Sequence, residues 1–518
     1  MLKNVVRYIL SHFPHTPTGG QLAACEAMVD FLYDPDPLST FVLKGYAGTG
    51  KTSLVSALIQ SAQGLHIKTL LLAPTGRAAK VLSGYSGKPA YTIHKKIYQT
   101  ITDANGLVRM ARALNKHTYT LFIVDEASMI GLASEDNPRR NLLEDLIDYV
   151  QEGSHCRLML IGDTAQLPPV GASESPALDL DYLSSIAQLK IHHYQLTEVV
   201  RQDSLSGILL NATLLRQQIA QLYSEEPPDM PLFDITDYDD IMRLGGEELE
   251  DVLNEAYESG SIEQAVIITR SNKRANLFNQ EIRNRVLFRE EEVNAGDYLM
   301  VVKNNYFWLD PESDIGFIAN GDIVEVLSIR NHQELYGFHF VDATMRFVDY
   351  PDAPTQDCKL ILETLHSESP SLSREEAQRL FDAVMEDYAD LPSRADQIKA
   401  VKSDPYFNAL QIKFAYALTC HKTQGGQWDT VIIDQGYLTD DMLDKEYLRW
   451  LYTAVTRATR KVYFLNFRDQ FFDSTDISES NNLDEEGDNA FNDSNSHIGL
   501  YGNDDFCCDF RNDYDGDD

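Results

Sequence analysis

The sequence predicts an α/β protein with two parallel-sheet domains, and three observations lead to this prediction. A glycine-rich loop, residues 45–52, lies between an apolar run and a helical stretch. Strand and helix signals alternate from about residue 18 to residue 197, which is typical of a parallel sheet covered by helices. A second series of this kind begins near residue 204. At 518 residues the chain exceeds one hydrophobic core, so several domains are expected.

The glycine-rich loop reads GYAGTGKT and has the full spacing of a phosphate-binding loop, between a buried strand and a helix. Its glycines allow backbone N–H groups to turn toward phosphate oxygens at the positive end of the helix. Lys51 would reach the β- and γ-phosphates, and the Thr52 hydroxyl would ligate Mg²⁺. The loop therefore predicts that a nucleoside triphosphate binds here with Mg²⁺. The residues expected to hold the nucleotide here are Gly45, Gly48, Gly50, Lys51, Thr52 and Ser53.

The first series predicts strands at 41–43, 69–72, 121–124 and 158–161, with helices between them. Between the second and third of these, Asn105-Gly106 separates two short β-prone runs, which is a strong signal for a β-hairpin. The hairpin is expected to project from the first domain.

The second series predicts strands at 265–269, 414–419, 430–433 and 461–467 and a helix at 273–286. Residues 296–410 interrupt it and read as an insertion. The first part of the insertion, with strands at 298–302, 323–329 and 338–341, has the pattern of a small β-barrel, and residues 373–400 are charged with a helical pattern.

Composition narrows the class of protein. Hydrophobic content of 43% and charged content of 24% are typical of a soluble globular protein, and no stretch reaches the roughly 20 apolar residues of a membrane span. The six cysteines are scattered without a CxxC pair, so disulfides and a zinc site are not expected. This use of cysteine predicts a cytoplasmic location. No membrane partner is predicted.

The net charge of −36 lowers the expectation of nucleic-acid binding without excluding it. Part of this charge lies in residues 473–518, which contain 15 acidic residues and one arginine and are expected to form a disordered acidic tail. Such a tail is either solubilising or a segment that docks a protein partner or competes with DNA.

Two further strand ends carry chemistry. The strand that ends at residue 124 is followed by two carboxylates, Asp125 and Glu126. Beside a phosphate loop, Asp125 is placed to hold Mg²⁺ through water and Glu126 to polarise the attacking water. The next strand end reads GDTAQLPPVG, in which Gln166 can contact a terminal phosphate or the attacking water. The diproline stiffens the following loop, which either transmits a phosphate-dependent change or is only a rigid turn.

Together these segments resemble the superfamily 1B DNA helicases, most nearly the RecD-like and Dda-like branch. The resemblance covers about residues 16–467 in the family's order. It is carried by GYAGTGKT, APTGRAAKVL (73–82), TIH (92–94), VDEAS, GDTAQLPPVG, VVRQ (199–202), HKTQG (421–425) and YTAVTRA (452–458).

The resemblance implies two RecA-like P-loop motor domains with ATP between them, a β-hairpin pin, and an inserted SH3-like β-barrel with a helical extension. The domains implied are 1–203 with the pin at 95–117, then 204–295 with 411–472 as the second motor domain, and 296–410 as the insertion. It also implies 5′→3′ translocation on single-stranded DNA.

Site roles follow from the same resemblance. Gln21 matches the family's adenine-reading glutamine. Arg201 and Arg457 match the arginines that approach the γ-phosphate from across the cleft, which joins them to Lys51, Glu126 and Gln166 as catalytic candidates. Gln424 and Gly425 match the second domain's contribution to the nucleotide cleft.

The implied DNA contacts form two grips, and the pin is implied to split the duplex. The pin tip, residues 102–106, lacks an aromatic residue, so Tyr98 at its base is the candidate stacking group. His94 and His421 are either contacts or packing residues. The two grips comprise Pro74, Thr75, Arg77, Thr92 and His94 in the first domain and Thr419, His421 and Lys422 in the second.

The function expected from this set is an ATP-dependent DNA helicase in replication, repair or recombination. Its partners would be single-stranded DNA and junctions of single- and double-stranded DNA. Two alternatives stay open: a nucleic-acid clamp or remodelling factor that is switched by ATP without separating strands, and an RNA helicase of the same superfamily.

Overall fold

The structure is a computed structural model that describes residues 2–102, 108–132, 141–186, 189–199, 206–222, 228–257, 264–310, 313 and 315–472. Within these ranges only the backbone is described for 100–102, 108–110 and 186. The hairpin tip, Arg201 and the acidic segment 473–518 lie outside the described residues.

The first domain is a six-stranded parallel sheet with helices on both faces. Its strand order is β3-β2-β6-β7-β1-β8, with the hairpin β4-β5 beside it. The helices are α1 Leu2–Leu10, α2 Gly19–Leu32, α3 Lys51–Ala62, α4 Gly76–Ser86, α5 Ile93–Ile97, α6 Leu142–Glu152 and α7 Leu180–Ile186. The strands are β1 Ser39–Gly45, β2 Lys68–Ala73, β3 Ala90–Thr92, β4 Tyr98–Thr102, β5 Val108–Arg112, β6 Thr120–Val124, β7 Arg157–Gly162 and β8 Lys190–Leu196.

Strand β1 shows why the sheet is buried on both sides. Phe41 and Leu43 pack into the cluster formed with α1, α2 and α3, whereas Val42 packs into the opposite cluster with α6. Successive side chains of a strand point to opposite faces, so an uninterrupted apolar run fits a strand covered by helices on both sides.

The hairpin predicted from Asn105-Gly106 is present in backbone register. β4 and β5 pair antiparallel from Tyr98 with Arg112 to Thr102 with Val108. Its base is attached to α6, because Arg112 forms ion pairs with Asp148 and Glu152. The hairpin therefore projects from a fixed base on the first domain.

The second domain is a five-stranded parallel sheet in the order β16-β10-β17-β18-β9. A π-helical turn at Ile282–Val286 extends α10, and short 3-10 turns lie at Asp440–Met442 and Asp469–Phe471, whereas the 3-10 turn at Ala127–Met129 belongs to the first domain. The bounds of its strands and helices are α8 Gly207–Gln221, β9 Ile241–Leu244, α9 Leu249–Tyr257, β10 Ala265–Thr269, α10 Asn272–Glu281, β16 Ala417–Thr419, α14 Cys420–Thr423, β17 Trp428–Asp434, α15 Lys445–Val455 and β18 Ala458–Leu465.

A closed five-stranded barrel is inserted between α10 and β16. Helices α12 and α13 pack on it through the cluster of Phe338, Phe340, Leu380, Val384 and Val401. The barrel and its extension comprise β11 Tyr298–Val301, β12 Ile323–Leu335, β13 Phe338–Phe347, β14 Gln356–Ile361, α11 Glu363–His366, α12 Arg374–Glu386, α13 Arg394–Lys402 and β15 Leu410–Phe414.

The predicted fold class is confirmed: two RecA-like parallel sheets, a β-hairpin and an inserted barrel with a helical extension. One predicted strand was wrong. The run 414–419 is divided: the barrel strand β15 ends at Phe414, and β16, a strand of the second sheet, begins at Ala417. The predicted boundary between residues 410 and 411 therefore falls inside β15, because β15 pairs with both β11 and β14 to close the barrel.

Candidate functional site

The phosphate loop connects β1 to α3 at the carboxyl edge of the first sheet. Gly48 and Gly50 have positive φ angles of 72° and 81°, which L side chains rarely adopt. The Lys51 ammonium donates to the carbonyls of Gly45 at 2.6 Å and Tyr46 at 2.9 Å. It also lies 3.9 Å from the Asp163 carboxylate. The loop thus holds a cation at the start of a helix, where phosphate binds favourably.

Asp125 and Glu126 follow β6, the strand two places from β1 in the sheet. The Tyr85 hydroxyl donates to Asp125 Oδ2 at 2.7 Å, and the Glu126 N–H donates to Asp125 Oδ1 at 2.9 Å. Burial raises the pKa of Glu126, with Asp125 and Asp163 adding to the shift while Arg457 and Lys51 oppose it. A raised pKa is what a carboxylate needs to accept a proton from water.

The residues predicted for Mg²⁺ supply hard oxygen donors. Thr52 is exposed in the first turn of α3, and the Asp125 carboxylate is held in place by Tyr85. Among the described residues there is no group of three His, Cys, Asp or Glu that could hold a metal alone. This set fits Mg²⁺, which is commonly bound by one or two protein oxygens together with substrate phosphates and water.

Gln21 is buried, with 2% of its surface exposed. Its side-chain carbonyl accepts from Thr18 N–H at 2.9 Å, and its amide donates to Thr49 O at 3.1 Å. It therefore completes the capping box of α2 and connects α2 to the phosphate loop. This position puts Gln21 beside the nucleotide loop, with its side chain held by protein groups.

Gln166 lies at the end of β7, and its loop is held by the second domain. The Leu167 N–H donates to Thr453 Oγ1 at 2.9 Å, and Gln424 Nε2 donates to Leu167 O at 2.7 Å. Farther along the loop, Arg449 donates to Ser173 O at 2.6 Å. The Gln166 side-chain carbonyl is buried and has no hydrogen-bond partner within the described part of the chain. A movement at Gln166 would therefore reach α14 and α15 through a stiff loop.

Arg457 follows α15 and is 4% exposed. It donates to Thr453 O at 3.1 Å, Gly426 O at 3.3 Å and Thr456 Oγ1 at 3.2 Å. Its positive charge opposes the raised pKa of Glu126, so this arginine of the second domain acts electrostatically on a carboxylate of the first. The other predicted arginine, Arg201, lies outside the described residues.

Gly425 lies against α4 of the first domain. Its φ is 73°, and a Cβ at this position would come within 2.7 Å of Ala78 Cβ. The two domains touch here so closely that glycine is required.

A groove runs between the first sheet, the barrel and the second sheet. Pro74 and Thr75 follow β2, and Thr92 ends the neighbouring strand β3, so parallel pairing places both at one edge. Thr419 ends β16 and lines an adjoining pocket with Lys422. The predicted DNA-binding residues that line the groove itself are Pro74, Thr75, Arg77, Thr92, His94, His421 and Lys422.

Not all of these side chains offer free groups to the groove. Thr75 and Thr92 use their hydroxyls to cap α4 and α5. The Arg77 guanidinium stacks on the Trp428 ring at 3.9 Å and donates to Gln427 O at 3.3 Å. Arg77 therefore joins the two domains. Burial lowers the pKa of His421, which leaves its ring neutral near pH 7.

The sequence pattern missed several residues of both sites. Asn304 and Asn320 of the barrel line the groove, and Lys422 donates to Asn320 Oδ1 at 2.8 Å. Arg449 and Thr453, which hold the loop after β7, were not singled out. The period of α15 could have indicated them, since both are polar residues buried in an apolar helix. Tyr98 is held at the hairpin base by a hydrogen bond to Asp145.

Comparisons with known proteins agree with this geometry. Residues 18–225 match the AAA domain family, and residues 414–465 match the UvrD-like helicase C-terminal domain family. The ATP-dependent RecD2 DNA helicase of Deinococcus radiodurans is 35% identical over 168 residues, which are 32% of this chain and 20% of that protein. The ATP-dependent DNA helicase Dda of Enterobacteria phage T4 is 33% identical over 168 residues, which are 31% of this chain and 35% of that protein.

Two further similarities extend over most of the chain. A protein of Acanthamoeba polyphaga mimivirus, R530, is 23% identical over 493 residues, covering 82% of this chain and 95% of that protein. Among solved structures, the Pif1 helicase from Bacteroides in complex with ADP-AlF3 and single-stranded DNA is 15% identical with a TM-score of 0.45, covering 91% of this chain and 98% of that one.

One parallel sheet carries a phosphate loop and a pair of carboxylates, and the domain of the second sheet supplies an arginine. This arrangement defines a two-domain RecA-like P-loop protein. The two family matches include strands of these two sheets. The similar proteins RecD2 and Dda are both ATP-dependent DNA helicases. Together these matches support a superfamily 1B helicase. Within the described ranges, no helix is long and apolar enough to cross a membrane.

Proposed function

We propose that this protein is an ATP- and Mg²⁺-dependent DNA helicase that translocates 5′→3′ on single-stranded DNA and unwinds duplex at junctions. One observation carries the proposal: the segment 419–424 serves both sites. His421 and Lys422 line the groove, and Gln424, two residues farther along the chain, donates to Leu167 O in the loop of the nucleotide cleft. A change in the cleft would therefore move a groove contact directly.

The cleft residues have separate roles in this proposal. The phosphate-loop N–H groups and Lys51 would bind the triphosphate, and Thr52 and Asp125 would hold Mg²⁺, which would offset phosphate charge. Glu126 accepts a proton from the attacking water, and Gln166 orients that water or the terminal phosphate. Arg457 stabilises the charge of the transition state from the second domain.

The groove residues act as two grips on one strand. The first lies at the carboxyl ends of β2 and β3 and the second at the end of β16 and in α14. Closing the cleft changes their spacing, which is how ATP turnover would move DNA. Opening a base-pair step costs roughly 1.4 kcal/mol on average, so one ATP per step supplies ample energy. In this proposal the described groove residues hold the strand without reading its bases, so binding is expected to be sequence-tolerant and salt-sensitive.

Strand displacement tests the proposal. Duplexes with either a 5′ or a 3′ single-stranded tail are incubated with ATP and Mg²⁺. Unwinding is expected from the 5′ tail alone and is expected to vanish in Lys51→Ala, because that variant loses the ammonium that holds the phosphates. Unwinding from the 3′ tail would overturn the direction. Equal stimulation of ATP turnover by DNA and RNA oligomers of one sequence would contradict DNA as the preferred substrate.

The clamp or remodelling alternative differs from the helicase in the hairpin. Since Tyr98 and Arg112 hold the hairpin base to α6, the hairpin can be shortened above that base. Replacing residues 102–108 with Asn-Gly keeps the pairs 99–111 and 101–109 and supplies a two-residue turn.

The shortened variant is expected to lose unwinding by at least about tenfold while its DNA-stimulated ATP turnover stays within about twofold of wild type, because translocation needs only the cleft and groove. Fluorescent displacement and phosphate release measure the two activities. Undiminished unwinding would contradict a wedge role for the hairpin. Wild type that hydrolyses ATP with DNA but separates no duplex would favour the clamp.

A further inference from the structure

The Tyr452 hydroxyl joins α15 of the second domain to two parts of the first. It donates to Asp163 Oδ2 at 2.6 Å and accepts from Ala47 N–H, in the phosphate loop, at 2.8 Å. Tyr452 is among the largest fully buried side chains, with 0% of its surface exposed. A single hydroxyl thus satisfies a backbone donor of the loop and a carboxylate at the end of β7.

The carboxylate it contacts is itself shared. Asp163 Oδ1 accepts from Ala165 N–H at 2.9 Å, and Oδ2 lies 3.9 Å from the Lys51 ammonium. Burial and the charge of Asp163 raise the pKa of Tyr452 well above its ordinary value, so the hydroxyl keeps its proton for donation. The phosphate-loop lysine and the second domain therefore meet at one oxygen.

This contact depends on the two domains being together. With the domains closed, removing the hydroxyl leaves the half-buried Ala47 N–H and the buried Asp163 Oδ2 without that partner, which is costly. With the domains apart, water can reach both groups and the cost disappears. The hydroxyl consequently stabilises the closed arrangement in particular.

We propose that Tyr452 is a positioning residue that couples the phosphate loop to closure of the two motor domains, through its bridge between Ala47 N–H and Asp163. The inference rests on the proposed function, because it assigns the contact by which nucleotide binding in the first domain draws in the second. Tyr452 acts through the loop and Asp163, and it needs no direct contact with the reacting phosphate.

The test measures closure directly. Donor and acceptor dyes are attached to Lys116→Cys in the first domain and Asp251→Cys in the second, both exposed positions, in a background carrying Cys507→Ser and Cys508→Ser. Energy transfer is followed while a non-hydrolysable ATP analogue is added with Mg²⁺. In Tyr452→Phe the analogue concentration for half-maximal closure is expected to rise about tenfold, because the ring still packs and only the bridge is lost.

Tyr447→Phe is the matched control. Tyr447 lies on the same helix, is 2% exposed and stacks on Trp450, so its variant reports the effect of removing a buried hydroxyl elsewhere on α15. Its closure curve is expected to match wild type. If circular dichroism shows that Tyr452→Phe does not fold, Asp163→Asn takes its place. The carboxylate accepts hydrogen bonds from Ala165 and Tyr452 on separate oxygens, whereas an amide has only one oxygen. This variant is likewise expected to raise the half-closing concentration.

The outcomes separate this inference from the proposed function. If the closure curve of Tyr452→Phe matches that of wild type, or lies at lower analogue concentration, the coupling role is overturned. The helicase proposal is unaffected by this result. A wild-type protein that shows no closure with the analogue also overturns it. A rightward shift in a protein that closes yet unwinds no DNA supports the coupling role and removes the helicase proposal alone.

Discussion

Arg457→Ala is expected to lower DNA-stimulated ATP hydrolysis by about 10³- to 10⁵-fold, the range found when a transition-state arginine is absent. The guanidinium is fixed by Thr453 O and Gly426 O in the second domain, and its charge lowers the pKa of Glu126 in the first. We expect this charge to reach the phosphates when the domains close. Phosphate release at saturating ATP and oligonucleotide measures the loss.

The control for this prediction is Arg460→Ala. Arg460 lies three residues farther on in β18 and is 74% exposed, so its removal is expected to change turnover by less than about twofold. Arg457→Lys is expected to recover little activity, because an ammonium cannot reproduce the planar fork of donors. A loss smaller than tenfold in Arg457→Ala would assign the transition-state charge to another group.

Glu126→Gln is expected to reduce ATP hydrolysis by about 10²- to 10⁴-fold, as for removal of a general base. The amide keeps the size of the side chain and its place beside Asp125, so nucleotide affinity is expected to stay within about threefold. Single-turnover hydrolysis and binding of a fluorescent ATP analogue give the two quantities. Glu144→Gln, an exposed carboxylate in the first turn of α6, serves as the neutral control.

The pH dependence of hydrolysis follows from the same carboxylate. Burial raises the pKa of Glu126 above its ordinary value of 4.5, and the base must be deprotonated to accept a proton. Wild-type turnover is therefore expected to fall as pH decreases through this raised pKa, at a higher pH than an unperturbed glutamate would give. The residual turnover of Glu126→Gln is expected to lack this acid limb. An acid limb that persists unchanged in the variant would point to a different titrating group.

Local patterns were sufficient for several elements. The phosphate loop, the strand before Asp125 and the Asn105-Gly106 hairpin each depend on residues close in sequence, whose conformation is dictated by glycine, apolar runs and turn chemistry. The barrel boundary was placed too early for the opposite reason. β15 is a barrel strand because it pairs with β11 and β14, which are distant in sequence. The apolar run 414–418, which spans the end of β15 and the start of β16, carries no signal of this change of partner.

By itself the sequence determined the fold class, the nucleotide loop and the family, because those depend on ordered short motifs. The tertiary structure decided which side chains meet across the cleft. Only there does Arg77 stack on Trp428 between the domains, and only there do Gln424 and Tyr452 reach Leu167 and Ala47. These pairs are hundreds of residues apart, and their hydrogen bonds depend on side-chain direction and burial, which spacing along one chain does not encode.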